Sequence, residues 1–320
     1  MRHNVSDTSF LELQAFFDAR VERVLLTFHR DPDLDAVGAA LGLAAYLTGL
    51  GKHVTVWSDR FDVTGFEFLH SVTDIANALP SLKQIDTIIV LDCSGFERVA
   101  NWRAVSSILD TVTLINWDHH GDNQGFGDMN LVSDISSMGE YVTQFLMAVK
   151  ADVTYEMAHN LYAAMVYDTG CFAFSNVSAG TFQTAAWLME KGVSPDQVSQ
   201  AIYEQRTIDT FHGLQTVFDR LVVNSKLRYA YSYLSEADPP IAHEAVDMIR
   251  TLKDMDVLIM FRVVADGIKI NFRSKTDFDV SKFAKQFGGG GHAKAAGTFM
   301  TGRVDEVIAT VVSRLDRELE

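Results

Sequence analysis

Four short runs in the first half of the chain constrain its fold more than any other feature: RVLLTF (23–28), HVTVWS (53–58), TIIVLDC (87–93) and TVTLINWD (111–118). Each is rich in β-branched residues and bounded by turn residues, the pattern of a strand. Between the first two lies DAVGAALGLAAYLTGLG, rich in Ala and Leu and closing on Gly51. Continuously apolar strands separated by helices predict an α/β fold with a parallel sheet covered on both faces. From about Ser136 to Asp168 the pattern is helical, MGEYVTQFLMAV and then YEMAHNLYAAMVYD.

A chain of 320 residues is long for one compact domain. Between about Thr181 and Arg220 it is helical, with Ser194-Pro195 as a helix start. Beyond it come the strand LRYAYSYL (227–234) and a helix from about Ile241 to Leu252. A hairpin over 257–274 follows, turning at Asp266-Gly267, then FGGGGHAKAAGTFM and a terminal helix from about Val304. The expected organisation is an N-terminal parallel-sheet domain over 1–190, a helical linker over 191–220 and a smaller α/β domain over 221–320. There is no internal repeat.

The first-half strands empty into acids and histidines: His29, Asp31, Asp33 and Asp35; then Asp92; then Asp118, His119 and His120. Asp168 stands at the end of a helix, followed by Thr169-Gly170. Singly, each has a plain explanation. Asp is a favoured helix cap, a first-turn acid suits the helix dipole, and a lone His is usually a hydrogen-bonded core residue. Together they converge negative charge on the carboxyl edge of one sheet, which is costly unless cations neutralise it. Asp33, Asp35, Asp92 and Asp168 carry a formal −4, the charge that two divalent ions balance. Mixed His and carboxylate ligands suit Mn²⁺ better than an all-oxygen Mg²⁺ or Ca²⁺ site. Paired ions are a recurring device of phosphate-ester hydrolysis, so these residues point to a dinuclear phosphohydrolase.

Composition narrows the partners. A formal net charge of −15 argues against an electrostatic grip on long duplex nucleic acid, and less against small phosphates. Two cysteines, Cys93 and Cys171, exclude a disulfide framework, and neither is given a role. With no signal-like segment or apolar run of membrane-spanning length, a cytoplasmic protein without a membrane partner is expected.

With these residues in view, the chain resembles the DHH phosphoesterase superfamily, named for the Asp118-His119-His120 triplet. HRDPDLDA matches the family's first motif, LDC the second, NWDHHGDN the third and YDTGCF the fourth. GGGGHAKAAG matches the glycine-rich signature of the DHH-associated C-terminal domain, and NFRS its preceding strand. Length and layout are most similar to the nano-RNase (oligoribonuclease) and pAp-phosphatase branch, where pAp is 3′-phosphoadenosine 5′-phosphate. The resemblance implies an active site in the cleft between the domains. It implies one metal on His29 and Asp33, a second on Asp35, His119 and Asp168, and Asp92 bridging both. Asp31 falls on a variable position and is left out. Asp118 is expected to orient a ligating histidine, and His120 to face the substrate phosphate.

In the second domain, Arg273 and His292 are implied to contact the nucleotide, with Ser274 beside them. The backbone of Gly289, Gly290 and Gly291 is expected to approach an anion, helped by a following helix start. Arg98 and Ser175-Asn176 are weaker candidates. Met138 stands where relatives carry Thr, and Trp117 is bulky at its position; both bear on substrate preference rather than chemistry.

The function implied is a phosphodiesterase using two divalent ions, Mn²⁺ foremost and otherwise Mg²⁺ or Co²⁺. Short oligoribonucleotides and dinucleotides would yield nucleoside 5′-monophosphates, and pAp would be a further substrate. A phosphodiesterase for linear dinucleotides from cyclic-dinucleotide breakdown and a RecJ-like single-strand exonuclease are the alternatives, with homodimerisation left open.

Overall fold

The computed structural model describes residues 8–239 and 241–320. The chain divides into two compact units, Met1–Gln205 and Arg206–Glu320. The division falls inside the segment expected as a linker, whose helices belong one to each unit.

The first unit carries strands β1 (Arg23–Thr27), β2 (His53–Val56), β3 (Thr87–Leu91), β4 (Thr113–Asp118) and β5 (Met129–Val132). They form one sheet in the order β2-β1-β3-β4-β5, parallel throughout. Its helices are α1 (Phe10–Arg20), α2 (Leu34–Gly49), α3 (Trp102–Ser106), α4 (Met138–Ala148), α5 (Tyr155–Asp168), α6 (Ala179–Met189) and α7 (Pro195–Tyr203). Strand side chains alternate between two cores. Leu26, Ile89, Ile115 and Trp117 pack with α2, α4 and α5, while Leu25, Ile88, Val90 and Leu114 pack around Trp57, Val99 and Val105. A sheet buried on both faces explains why these strands read as unbroken apolar runs.

The second unit begins with α8 (Ile208–Asp219) and continues through β6 (Val222–Asn224), β7 (Tyr229–Leu234), α9 (Ala242–Arg250), β8 (Val257–Val264), β9 (Gly267–Ser274), α10 (Val280–Lys285), β10 (Gly290–Gly291), β11 (Ala295–Met300) and α11 (Val304–Leu319). The sheet order is β10-β11-β9-β8-β7-β6, antiparallel except for β7 against β8, whose crossover is α9. Alternation again separates two cores. Val257, Ile259 and Phe261 face α10 and α11, whereas Leu258 and Met260 face α8 and α9. Val307, Val311 and Leu315 repeat every four residues and give α11 its buried stripe. The β8–β9 turn is Ala265-Asp266, one residue earlier than expected, because Gly267 already pairs with Val264. Among the described residues, no helix is long and apolar enough to cross a membrane.

Candidate metal centre

β1, β3 and β4 are adjacent and parallel, so their carboxyl ends open on one edge of the sheet. His29 follows β1 and Asp92 follows β3. His119 and His120 follow β4, and Asp168 is the last residue of α5. Asp33 caps α2, its Oδ1 accepting from the amides of Asp35 and Ala36 at 3.0 and 3.1 Å. Asp35 sits in the first turn of α2, yet its carboxylate caps α4, accepting from the Met138 and Gly139 amides at 2.6 and 2.9 Å. Close packing between α2 and α5 is what brings these acids toward Asp168: a Cβ added at Gly38 would lie 2.5 Å from the Asn160 carbonyl. Met138 therefore meets Asp35 through its backbone amide while its side chain is buried in the core. Trp117 also turns inward, against Tyr141 and Phe145, with ring centroids 5.8 and 5.4 Å away. Neither departure lines the centre.

Asp92 lies at the middle, buried, with φ +55°. Its Oδ2 is 3.5 Å from His29 Nε2, and its Oδ1 is 3.2 Å from His119 Nε2 and 3.5 Å from His120 Nδ1. His119 Nε2 also lies 3.6 Å from Asp35 Oδ2 and 3.8 Å from Asp168 Oδ2. Ligand atoms thus gather in three overlapping groups: His29, Asp33 and Asp92; Asp35, His119 and Asp168; and Asp92, His119 and His120. In each group the atoms lie within 4.8 Å of one another. Asp31 is exposed and belongs to none of them.

The protonation pattern is that of a site built around positive charge. Burial, reinforced by Asp168 and Asp92, lifts Asp35 well above the usual carboxylate range, and burial with Asp92 lifts Asp33. Burial raises Asp168 to about 7; Asp33 and Asp92 add to this against the pull of His119. Burial opposes charge on Asp92 too, but the imidazoles of His119 and His29 hold it well below its ordinary value. Burial likewise disfavours charged His119 and His29, and is outweighed by Asp92 and its fellow carboxylates. Carboxylates and imidazoles shifted upward together are the response of a cluster that favours added positive charge, as metal ions would supply it. Asp92 Oδ1 is buried and accepts no hydrogen bond. An orphaned oxygen amid imidazole nitrogens and carboxylates fits a divalent ion.

The two histidines are held differently. His119 Nδ1 faces the Ile135 carbonyl at 3.2 Å, the arrangement that turns Nε2 toward the carboxylates. Asp118 bonds His120 Nδ1 at 2.8 Å, so its hydrogen bond goes to His120, where support of the expected ligand His119 was anticipated. The cause is strand geometry: residues two apart leave β4 on the same face, and Asn116, Asp118 and His120 form one row. Sequence reasoning also missed the network behind that row. Asn123 Nδ2 donates to Asp118 Oδ2 at 2.7 Å, the Cys93 carbonyl at 2.9 Å and Asn116 Oδ1 at 3.0 Å, and Asn116 Nδ2 donates to Asn123 and Asn130. A buried Asn inside the apolar run TLINWD was the available signal. Asn176 is a clamp: its Nδ2 donates to the carbonyls of Ser136 and Asp168 at 2.9 and 3.0 Å. Arg98 lies at the same edge, its carbonyl accepting from the Arg30 amide and its guanidinium 3.2 Å from Ser94 Oγ; its charge opposes protonation of His29.

After Asp168 the backbone makes a left-handed turn: Gly170, Cys171 and Phe172 have φ of +55°, +57° and +62°. For the two non-glycine residues that conformation costs about 1–2 kcal/mol each. Thr169 holds it, its carbonyl accepting from the Ala173 and Phe174 amides and its hydroxyl from the Phe172 amide.

In the second unit Arg273 lies on β9, its Nε 3.1 Å from Asp247 Oδ1 on α9. Ser274 is buried and donates to the Thr276 carbonyl at 3.0 Å, so it closes a turn and does not face an anion. The glycine run is not followed by a helix start. It leaves the carboxyl end of α10, with the Gly289 amide bonded to the Ala284 carbonyl, and becomes strand β10. The helix terminus nearest in sequence is thus the negative one. Gly290 and Gly291 pair with Gly297 and Ala296 of β11, and exposed His292 opens the connecting turn.

A parallel sheet with a His and Asp centre at its carboxyl edge, joined to a second α/β unit, defines the class: a two-domain, metal-dependent phosphoesterase. Residues 23–167 match the DHH family, N-terminal domain, and residues 226–320 match the DHHA1 domain. With both domains matched, the chain belongs to the DHH phosphoesterase family. It is 27% identical over 306 residues to the bifunctional oligoribonuclease and PAP phosphatase NrnA of Thermus thermophilus, covering 92% of this chain and 90% of that one. The Bacillus subtilis protein of the same name is 25% identical over 289 residues, covering 86% and 88%. The crystal structure of an exopolyphosphatase-related protein from Bacteroides fragilis superposes with a TM-score of 0.90 at 21% identity, covering 99% and 98%, a likeness of fold.

Proposed function

We propose that the chain is a phosphodiesterase that hydrolyses short oligoribonucleotides and dinucleotides to nucleoside 5′-monophosphates and also dephosphorylates pAp. Its cofactors are two divalent ions, Mn²⁺ foremost, and its place is the cytoplasm. The observation that carries this reading is the position of Asp92, whose two oxygens face different histidines, Oδ2 toward His29 and Oδ1 toward His119. In this reading His29 and Asp33 hold one ion, Asp35, His119 and Asp168 the other, and Asp92 both. Such ions, when bound, lower the pKa of water and neutralise phosphoryl charge. His120, held by Asp118, presents its imidazole to the substrate phosphate. Arg273, His292 and the backbone of Gly289–Gly291 recognise the terminal phosphate, and Arg98 adds a cation at the metal edge. The names of the Thermus and Bacillus relatives support this choice of substrates.

Purified protein with Mn²⁺, compared with a chelated control, tests it on labelled 2-mers, longer RNAs, pAp, linear dinucleotides and pyrophosphate. Chelator-sensitive turnover, fastest on 2-mers, is expected. Turnover that survives chelation, or a preference for pyrophosphate or long RNA, would overturn it.

A further inference from the structure

The loop that leaves Asp168 combines three properties: it is strained, it is clamped, and it is aromatic on the outside. The left-handed turn over Gly170–Phe172 is fixed by Thr169, and Asn176 ties the far end back to the Asp168 carbonyl. The ring of Phe174 lies over Gly170, where an added Cβ would meet three ring atoms at 2.3–2.6 Å. Phe172 stacks on Phe182 with centroids 5.5 Å apart and an interplanar angle of 27°. Even so, Phe174 is 40% exposed and Phe182 55% exposed. A backbone held in an unfavourable conformation to present large apolar rings marks a functional constraint.

We infer that this loop is the nucleobase subsite: a base of the substrate stacks on the exposed ring of Phe174, in the loop whose Phe172 stacks on Phe182, while its phosphate lies at the Asp168 side of the metal centre. The inference rests on the proposed function and names the part of the substrate that this loop reads. A single exposed ring suits one base, whereas a stable protein partner needs about 800 Å² on each side. Ring faces accept any base, so the loop favours nucleotides over bare phosphates without selecting sequence.

The test compares wild type with Phe174→Leu, which keeps an apolar side chain and removes the ring face, and with Phe182→Leu in case the first variant folds poorly. With Mn²⁺, kcat and KM are measured on a dinucleotide and on the same dinucleotide lacking one base. Phe174→Leu should raise KM for the complete substrate roughly tenfold with little change in kcat, shrinking the preference for it over the abasic one by that factor. Phe182→Leu should shift the preference the same way, by less. A wild type indifferent to the missing base, or a preference unchanged in both variants, would overturn the subsite. Quenching of a 2-aminopurine dinucleotide, with Ca²⁺ replacing Mn²⁺, separates binding from reaction. Quenching lost in Phe174→Leu supports the subsite even where the proposed turnover fails. Absence of quenching in the wild type overturns the subsite even where turnover stands.

Discussion

The two units differ in charge as sharply as in topology. Residues 1–205 hold 11 Lys and Arg against 26 Asp and Glu, whereas residues 206–320 hold 16 of each. The whole net charge of −15 therefore belongs to the unit with the candidate metal centre, and the other is neutral. A whole-chain charge says little about recognition when one unit carries all of it. Topology separates the two units in the same way. Parallel strands gather their carboxyl ends, and thus several ligands, on a single edge. The mostly antiparallel sheet of the second unit has no such edge; the donors proposed for it lie on a strand, Arg273, and in a hairpin, β10–β11.

If chemistry resides in the first unit and recognition in the second, substitutions should separate the two. Asp92→Ala is expected to have the largest effect, a loss of at least about a thousandfold in kcat/KM. Metal retained after dialysis, measured by elemental analysis, should fall in parallel. Full metal-dependent turnover in this variant would break the bridging assignment. Arg273→Ala should raise KM for a dinucleotide about 10- to 100-fold, the loss of charge-assisted hydrogen bonds to phosphate, with metal content unchanged. A fall in kcat with KM unchanged would show that the second unit does more than bind.

Asp118→Asn tests the pairing inside the triplet. With Asp118 on His120, kcat should fall about 10- to 100-fold while both metals stay bound. Metal loss would mean that Asp118 serves a ligand after all. That pairing was legible in principle from the period of two along a strand, which sets 118 and 120 together and 119 apart. The gathering of His29, Asp33, Asp35, Asp92, His119 and Asp168 was legible because apolar runs ending in acids have few other uses in a parallel sheet. β5 was not, since MNLV is too short and mixed to register as a run. β10 and the start of β11 were hidden for a different reason: Gly and Ala have no β-branched signal, and only cross-strand contact shows why they pair.

That contact supplies the finest separation. A Cβ added at Gly289 would lie 2.2 Å from the Gly297 carbonyl oxygen and 2.6 Å from Thr298 Cβ, whereas at Gly290 it would meet nothing within 4 Å. The first clash includes backbone that pairs with β9, so it cannot be relieved by a rotamer change. Gly289→Ala should therefore cost about 1–3 kcal/mol of stability, read as a melting temperature several degrees lower. Gly290→Ala should stay within about 0.5 kcal/mol of wild type. If the glycine run lets backbone amides approach a phosphate, Gly290→Ala should still raise KM a few-fold, because the added methyl occupies space the anion needs. Unchanged stability and unchanged KM would reduce the run to a packing device for β10 against β11 and leave phosphate recognition to Arg273 and His292.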